Sequence, residues 1–457
     1  MSAKIETGEL SPFKLLESCI RQIQSHNSEL NTFITVLFER ALNEAENAER
    51  RIKKGAWLGP LDGIPFSVKD MIQIKGVKCT AGSILFKNYI AKRSAICISR
   101  LKKTGAIVIG TTNLNEFASG ITGINPHYGS SKNPWNKDHI SGGSSSGSCV
   151  SVSTGMVSFS LGTDTGGSIR VPSAFCGTVG LKPTYDLVSR DGVINLAPSL
   201  DHVGCITRSI CDAAIVLRAL IDKAPSTRKN KAANLLDYIS HKIVSRKDKL
   251  VVGIPDDYFF ENIDLELIKH FDYFIKTIES AVSNIKFISI KGTNLIPSTW
   301  TIIRLAEAAE QHKRWIMTKS EEYSVEVRNM IKKGLEISAV DYIHAYKLKN
   351  QLTNNFLEAL KATDVLILPS TSITAPKFKS FTNDDENSSI RNSLLRNSIP
   401  SNISGLPAVN VPVGLDRFGI PVGVQIVGRP FEEANILSLG YEFEQKCNFM
   451  TRFIPPV

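Results

Sequence analysis

Phe13, Leu16, Ile20 and Ile23 recur at intervals of three and four, the period of a helix with one buried face. Ser11-Pro12 ahead of them reads as an N-cap followed by proline at the first helical position. A second helix is predicted from about Leu37 to Lys54, ended by Gly55. The rhythm then shortens. Ile64 to Val68 and Ala106 to Gly110 are apolar runs of strand length, with a helix predicted between them from Ile96 to Lys103. Val157 to Leu161 is a further strand candidate that feeds a glycine-rich turn.

From about Ile215 to Asn355 the chain becomes lysine-rich and poor in glycine, which predicts a mostly helical region shaping a substrate entrance. Asp364 to Pro369 returns to a buried strand, and the polar stretch Lys377 to Arg391 is expected as a surface loop. Ala408 to Val413 and Val422 to Val427 read as a hairpin around Asp416-Arg417-Phe418-Gly419. A last helix is predicted from about Glu433 to Lys446. Alternating helices and apolar strands predict an α/β fold with a mixed β-sheet core covered by helices on both sides. One large domain is expected over residues 1–457, with the variable, mostly helical region at about 215–355.

Composition narrows the function. The net charge of +10 invites a nucleic-acid reading, but the basic residues are dispersed. Arg50-Arg51-Ile52-Lys53-Lys54 and Arg246-Lys247-Asp248-Lys249 carry no interleaved aromatics and no binding motif. No two of the eight cysteines have CxxC spacing, which removes the usual zinc and thioredoxin signatures. No metal and no cofactor are expected. No run reaches the roughly 18 apolar residues of a membrane span, and a cytoplasmic location with reduced thiols is the expectation.

The chemistry concentrates in three places. Gly63-Ile64-Pro65-Phe66-Ser67-Val68-Lys69-Asp70 ends an apolar run on a lysine, which is expected to enter the interior. Ser141-Gly142-Gly143-Ser144-Ser145-Ser146-Gly147-Ser148 is a small-residue cluster without the GK[ST] ending of a phosphate loop. Gly162-Thr163-Asp164-Thr165-Gly166-Gly167-Ser168-Ile169-Arg170 follows a predicted strand. A serine needs a base to become nucleophilic, and a lysine whose ammonium is destabilised by burial can supply one. Thr165-Gly166-Gly167-Ser168 fits an oxyanion hole, because glycines let successive N–H groups approach a carbonyl oxygen; taken alone, the same text is an ordinary turn. His127 and His202 lie near this region without a partner motif and read as ordinary hydrogen-bonding histidines.

Together these segments resemble the amidase signature family, strongly over Leu61 to Ala214 and moderately over Asp364 to Gln445. The match runs through the two clusters into Val171-Pro172-Ser173-Ala174-Phe175-Cys176-Gly177 and Gly180-Leu181-Lys182-Pro183-Thr184, and the separations of Lys69, Ser144 and Ser168 are those of the family. The resemblance implies a Ser–cisSer–Lys triad, with Ser168 as acyl nucleophile, Ser144 on a cis peptide as proton relay and Lys69 as base. It implies an oxyanion hole from the N–H groups of Thr165, Gly166, Gly167 and Ser168, braced by Asp164 and Arg170. Ser145 would orient the triad, and Phe117, Ala118, Ser119 and Gly120 would line the substrate side.

The implied activity is hydrolysis of a small-molecule carboxamide through an acyl-enzyme, releasing ammonia or an amine. A membrane partner is not expected, and a homodimer is compatible with the resemblance. Within the family, the alternative is the component of a glutamyl-tRNA(Gln) amidotransferase that generates ammonia from glutamine, and only that reading brings nucleic acid into play. Against it, Ser146 stands where that component has glycine, Asp186 follows Lys182-Pro183-Thr184-Tyr185 where it has glycine, and Cys205 replaces a proline. Asn397 takes the place of an aspartate that holds one charged end of glutamine, and the partner arginine has no counterpart legible in the sequence. Arg304 to His312 also resembles free-standing amidases better. A non-catalytic scaffold of the same fold is the third reading, and the complete Lys69, Ser144, Ser168 set argues against it.

Overall fold

The computed structural model describes residues 1–221, 249–381, 384–447, 449 and 454–456. Its centre is one sheet of eleven strands. In chain order these are β1 (Phe33–Val36), β2 (Pro65–Lys69), β3 (Ile107–Thr112), β4 (Phe159–Asp164), β5 (Val179–Lys182), β6 (His202–Thr207), β7 (Leu250–Pro255), β8 (Val282–Ile288), β9 (Val365–Pro369), β10 (Ala408–Leu415) and β11 (Pro421–Gly428). They lie in the order β1-β3-β2-β4-β6-β5-β10-β11-β9-β7-β8.

The sheet is mixed in a particular way. β2 runs parallel to β3 and β4, and β7 runs parallel to β8 and β9. Between these two parallel wings, β6, β5, β10 and β11 join by antiparallel pairing. β2, β3 and β4 are buried along their whole length, as strands covered on both faces must be. Alternation then assigns the faces. Ile107 and Ile109 of β3 join a cluster with Leu16, Ile23, Ala41, Val150 and Val152. Val108, between them, joins Phe66, Val68 and Leu161 in the main core. Phe66 and Phe159, register partners on β2 and β4, stack with ring centres 4.9 Å apart, an apolar cross-strand pair that helps fix the register.

The N-terminal helix pair follows the pattern read from the sequence. The helix Pro12–Leu30 is capped by Ser11, whose side chain accepts from the Lys14 N–H, and its partner spans Phe38–Lys53. The helix Ile96–Lys103, strand β9 and the β10–β11 hairpin also stand where apolar periodicity puts them. Three expectations shift. The strand read at Val157 to Leu161 begins at Phe159 and runs to Asp164, because the Val157 N–H still bonds back to the Ser151 carbonyl of the preceding helix. The expected loop from Lys377 to Arg391 contains part of the helix Asp384–Leu395; Ile390, Leu394 and Leu395 pack against Phe175 and Val171, and their burial outweighs the polar majority. Within the stretch expected to be mostly helical, β7 and β8 extend the sheet. Residues 222–248 of that stretch, and with them most of the basic run at 246–249, lie outside the described residues.

No described helix is long and apolar enough to cross a membrane. No disulfide forms among the described residues, and seven of the eight cysteines are buried.

Candidate active site

The site forms where β2 and β4 end side by side. Parallel pairing of Val68 with Leu161 brings both C-terminal ends to the same edge of the sheet, the edge at which open α/β sheets bind ligands. Lys69 is the last residue of β2 and Asp164 the last of β4. The segment Gly143–Ser145 leads into the helix Ser146–Ser153, which precedes β4, and Thr165–Ile169, directly after β4, leads into the helix Arg170–Cys176.

Lys69 has no solvent exposure. Its Nζ donates to Ser144 Oγ at 2.7 Å and to Thr163 Oγ1 at 2.8 Å. Burial drags its ammonium down to about 7, with Asp164 and then Asp201 pulling the other way. An amine at that value takes and returns protons near neutrality. The Gly143–Ser144 peptide is cis. The Ser145 N–H donates to the Ser168 carbonyl at 3.1 Å, and Ser145 Oγ bonds both the carbonyl and the N–H of Thr163. Ser145 thus ties the Ser144 segment, the end of β4 and Ser168 into one unit.

Ser168 is 4% exposed and lines a cavity of about 720 Å³ with Thr165 and Gly166. Lys69, Thr163, Ser144 and Ser168 are brought into one locality, but no hydrogen bond among the described residues joins the Ser144 and Ser168 hydroxyls directly. The loop itself is strongly determined. Gly167 has φ +126°, and a Cβ there would fall 2.2 Å from Ser398 Oγ; a Cβ on Gly166 would fall 2.6 Å from Trp300 Cζ2. Only glycine fits either place. The Gly167 N–H is taken by Asp164 Oδ1 at 2.8 Å. The N–H groups of Thr165, Gly166 and Ser168 have no acceptor among the described residues, although all three residues line the cavity. Buried N–H groups without acceptors are rare in folded proteins, and these three belong to residues at the cavity wall.

Asp164 and Arg170 are both without exposure and pair at 2.8 Å. Arg170 Nε and Nη2 engage the two carboxylate oxygens, while Nη1 donates to the Ser398 carbonyl and Ser401 Oγ. The carboxylate also accepts from the Ile169 N–H and from Asn402 Nδ2. Burial alone would raise the Asp164 carboxyl, but Arg170 and the other donors hold it well below the usual carboxylate range.

Ala118, Ser119 and Gly120 line the same cavity. Phe117 is not among the lining residues. It sits behind that wall with its ring 4.4 Å from His312 and 5.4 Å from Phe86, and it and Ala118 both take left-handed backbone angles. His127 bonds Glu116 at 3.0 Å, and the His202 ring bonds the Leu200 carbonyl at 2.7 Å. No cluster of three or more His, Cys, Asp or Glu among the described residues could hold a metal.

The profile of the Amidase family matches residues 14–437. The chain belongs to the amidase signature family. It is 34% identical over 473 residues to a glutamyl-tRNA(Gln) amidotransferase component of Geobacter metallireducens, covering 98% of this chain and 96% of that one. Among solved structures it is similar to an amidase at TM-score 0.86 with 29% identity, covering 98% of each chain. It is also similar to the native peptide amidase of Stenotrophomonas maltophilia at TM-score 0.83 with 26% identity, covering 98% of this chain and 96% of that one.

Four further residues belong to the site of this amidase-family protein, although motif reading gave them no role there. Thr163 shares the Lys69 amine. Asp201 accepts from Thr165 Oγ1 at 2.6 Å and from the Leu196 and Ala197 N–H groups, anchoring the loop from the far side. Trp300 Nε1 donates to the Thr165 carbonyl at 3.0 Å, and Arg304 stacks on its ring. Thr163 falls inside a quoted motif, so its signal was present; Arg304 opens the segment that resembles free-standing amidases, but that text assigned it no role, and Trp300, a helical turn before it, lies outside any motif.

Proposed function

We propose that the chain is an amidase that hydrolyses a carboxamide through an acyl-enzyme. The Ser168 hydroxyl attacks the carbonyl carbon while its proton passes by way of Ser144 to the neutral amine of Lys69. The oxyanion gathers charge against the N–H groups of Thr165, Gly166 and Ser168, while the Gly167 N–H stays with Asp164. Lys69 then returns the proton through Ser144 to the leaving nitrogen, and ammonia or an amine departs. Water attacks the Ser168 ester over the same proton path. One such donor to the oxyanion is worth about 3–4 kcal/mol at the transition state.

The observation that carries this reading is the buried Lys69 amine donating to Ser144 Oγ at 2.7 Å, beside a cavity-facing loop with open N–H groups. The test is the purified chain assayed alone on aliphatic and aromatic amides, with a fluorophosphonate probe for the nucleophile. Amide turnover with labelling at Ser168 is the expected result; turnover that survives Ser168→Ala at the wild-type rate overturns the assignment.

The identity to proteins named as glutamyl-tRNA(Gln) amidotransferase components favours a second reading, in which the chain releases ammonia from glutamine within a tRNA-dependent assembly. Asn397 weakens it. Its amide N–H groups go to the Phe259 and Pro369 carbonyls inside the core, and its side chain presents no negative charge to a substrate ammonium. Glutaminase activity that appears only with tRNA-charging partners would establish the second reading over the first.

A further inference from the structure

The cavity wall that adjoins the Thr165–Ser168 loop is built by the helix Ile296–Ile316, and it carries a guanidinium without a carboxylate partner among the described residues. Trp300 is the hinge of the arrangement: its indole N–H holds the Thr165 carbonyl at 3.0 Å and its ring abuts Gly166. Arg304, one helical turn further on and hence on the order of 6 Å along the axis, places its guanidinium carbon 4.8 Å from the centre of that ring. Its Nη1 reaches the Met330 sulfur at 3.0 Å, a weak acceptor. Its Nε is buried without a hydrogen-bond partner. Burial pushes Arg304 down to about 10, with Glu326 raising it and Arg391 lowering it, so the group stays charged at neutral pH.

The other ionisable groups lining the cavity are Glu326, Lys333 and Arg391. Arg391 and Glu326 already satisfy each other through a two-point pair, both contacts at 2.8 Å. The cavity is therefore left with an excess of positive charge, and the part of it nearest the loop is Arg304. A half-buried guanidinium is costly to keep unpaired and is shaped to grip a carboxylate at two points. No acid lining the cavity is free to hold a substrate ammonium.

We propose that the cavity selects an anionic amide: the scissile carbonyl lies over Ser168 while a carboxylate at the far end of the acyl group pairs with Arg304. The substrate class is the monoamide of a dicarboxylic acid without an α-ammonium. This rests on the amide-hydrolysis reading above and narrows it to a substrate class.

The test measures kcat/KM of the full chain on the monoamides of succinic, glutaric, adipic and suberic acids, each against a neutral amide of matched length ending in methyl. Glutamine serves as a further arm, since it differs from glutaric acid monoamide only by its α-ammonium. The expected result is a preference of about tenfold or more for at least one monoamide over its neutral match, as one well-placed charged pair would give, with glutamine poorer than glutaric acid monoamide. Arg304→Gln should collapse that ratio to about unity, Arg304→Lys should keep part of it, and Arg304→Glu should turn the preference toward the ω-amino amide. Because each readout is a ratio within one variant, a general loss of activity does not imitate the result. An unchanged ratio in Arg304→Gln, equal rates on neutral and anionic amides, or a preference for glutamine overturns the proposal while amide hydrolysis stands. Absence of turnover on every amide, with no probe labelling at Ser168, overturns both.

Discussion

Replacing Lys69 with methionine exchanges an amine for a thioether of similar length at a position with no solvent exposure. In the wild type, burial brings that amine from 10.5 to about 7. At about 1.4 kcal/mol per unit, the drop corresponds to a destabilisation of about 5 kcal/mol when the group is forced to stay protonated. The sign follows from proton counting. Between the folded value near 7 and the unfolded value near 10.5, the unfolded chain binds the extra proton, so wild-type stability rises with pH across that window, by up to about 1.4 kcal/mol per unit. Below the folded value the cost is complete and flat; above the unfolded value it is gone. Methionine removes the titration and with it the slope.

At about pH 8 the lysine still costs about 3 kcal/mol. Against that stand its two hydrogen bonds, to Ser144 and Thr163, worth about 1 kcal/mol each. The expected outcome is a variant without amidase activity that is nonetheless more stable than wild type at pH 6 and 8, by about 1 kcal/mol or more, and loses that advantage toward pH 10. Urea unfolding midpoints at the three pH values read the stability. A kcat/KM profile of the wild type, expected to rise through pH about 7 as Lys69 becomes neutral, reads the chemistry. Parallel pH dependences of the two midpoints, or a Lys69→Met variant that still turns over amide at neutral pH, would refute the account of Lys69 as a base made neutral by burial.

Ser168→Ala should lower turnover on the order of 10⁴-fold or more and abolish probe labelling in intact-protein mass spectrometry, with an unchanged melting temperature. Gly166→Ala forces a Cβ to within 2.6 Å of Trp300 Cζ2; steady-state kinetics should show kcat reduced on the order of 10²-fold as the loop donors are displaced. Arg170→Met strips the partner from a fully buried carboxylate and should destabilise the protein by about 3–5 kcal/mol, read by thermal unfolding, with Asp164→Asn in the same chain recovering part of the loss.

Local physics made much of this molecule legible in its sequence. Ser11-Pro12 specified a cap that is formed, and the apolar runs at β2, β3 and β9 are buried on both faces, as short uninterrupted apolar text requires. β8 was not legible because only its first residue is buried; an exposed edge strand carrying Lys286 has no apolar signature. The helix Asp384–Leu395 was hidden by a different effect, a few apolar residues at helical spacing inside polar text. At the candidate site, Lys69, Ser144 and Ser168 stood out through motif text. The groups that set their environment did not, since Asn402, Trp300 and Arg304 come from more than a hundred positions away. Such contacts are products of the sheet order, in which β10 lies beside β5 and β4 two places further on.

The same sheet order explains how a lysine stays proton-labile next to a buried aspartate. An unpaired Asp164 carboxylate at the end of β4 would hold Lys69 protonated, as opposite charges in a low-dielectric interior do. Arg170 prevents this. Its two-point pair with Asp164, fixed by Ser398, Ser401 and Asn402, turns the aspartate into one half of a near-neutral unit. What Lys69 then feels most is burial, which favours the neutral amine. Asp164 is left to a structural role, holding the Gly167 and Ile169 N–H groups and leaving those of Thr165, Gly166 and Ser168 uncommitted. On the amide-hydrolysis reading proposed above, both the base and the oxyanion cradle depend on this one compensated charge pair, and removing the pair should cost both even where the fold survives.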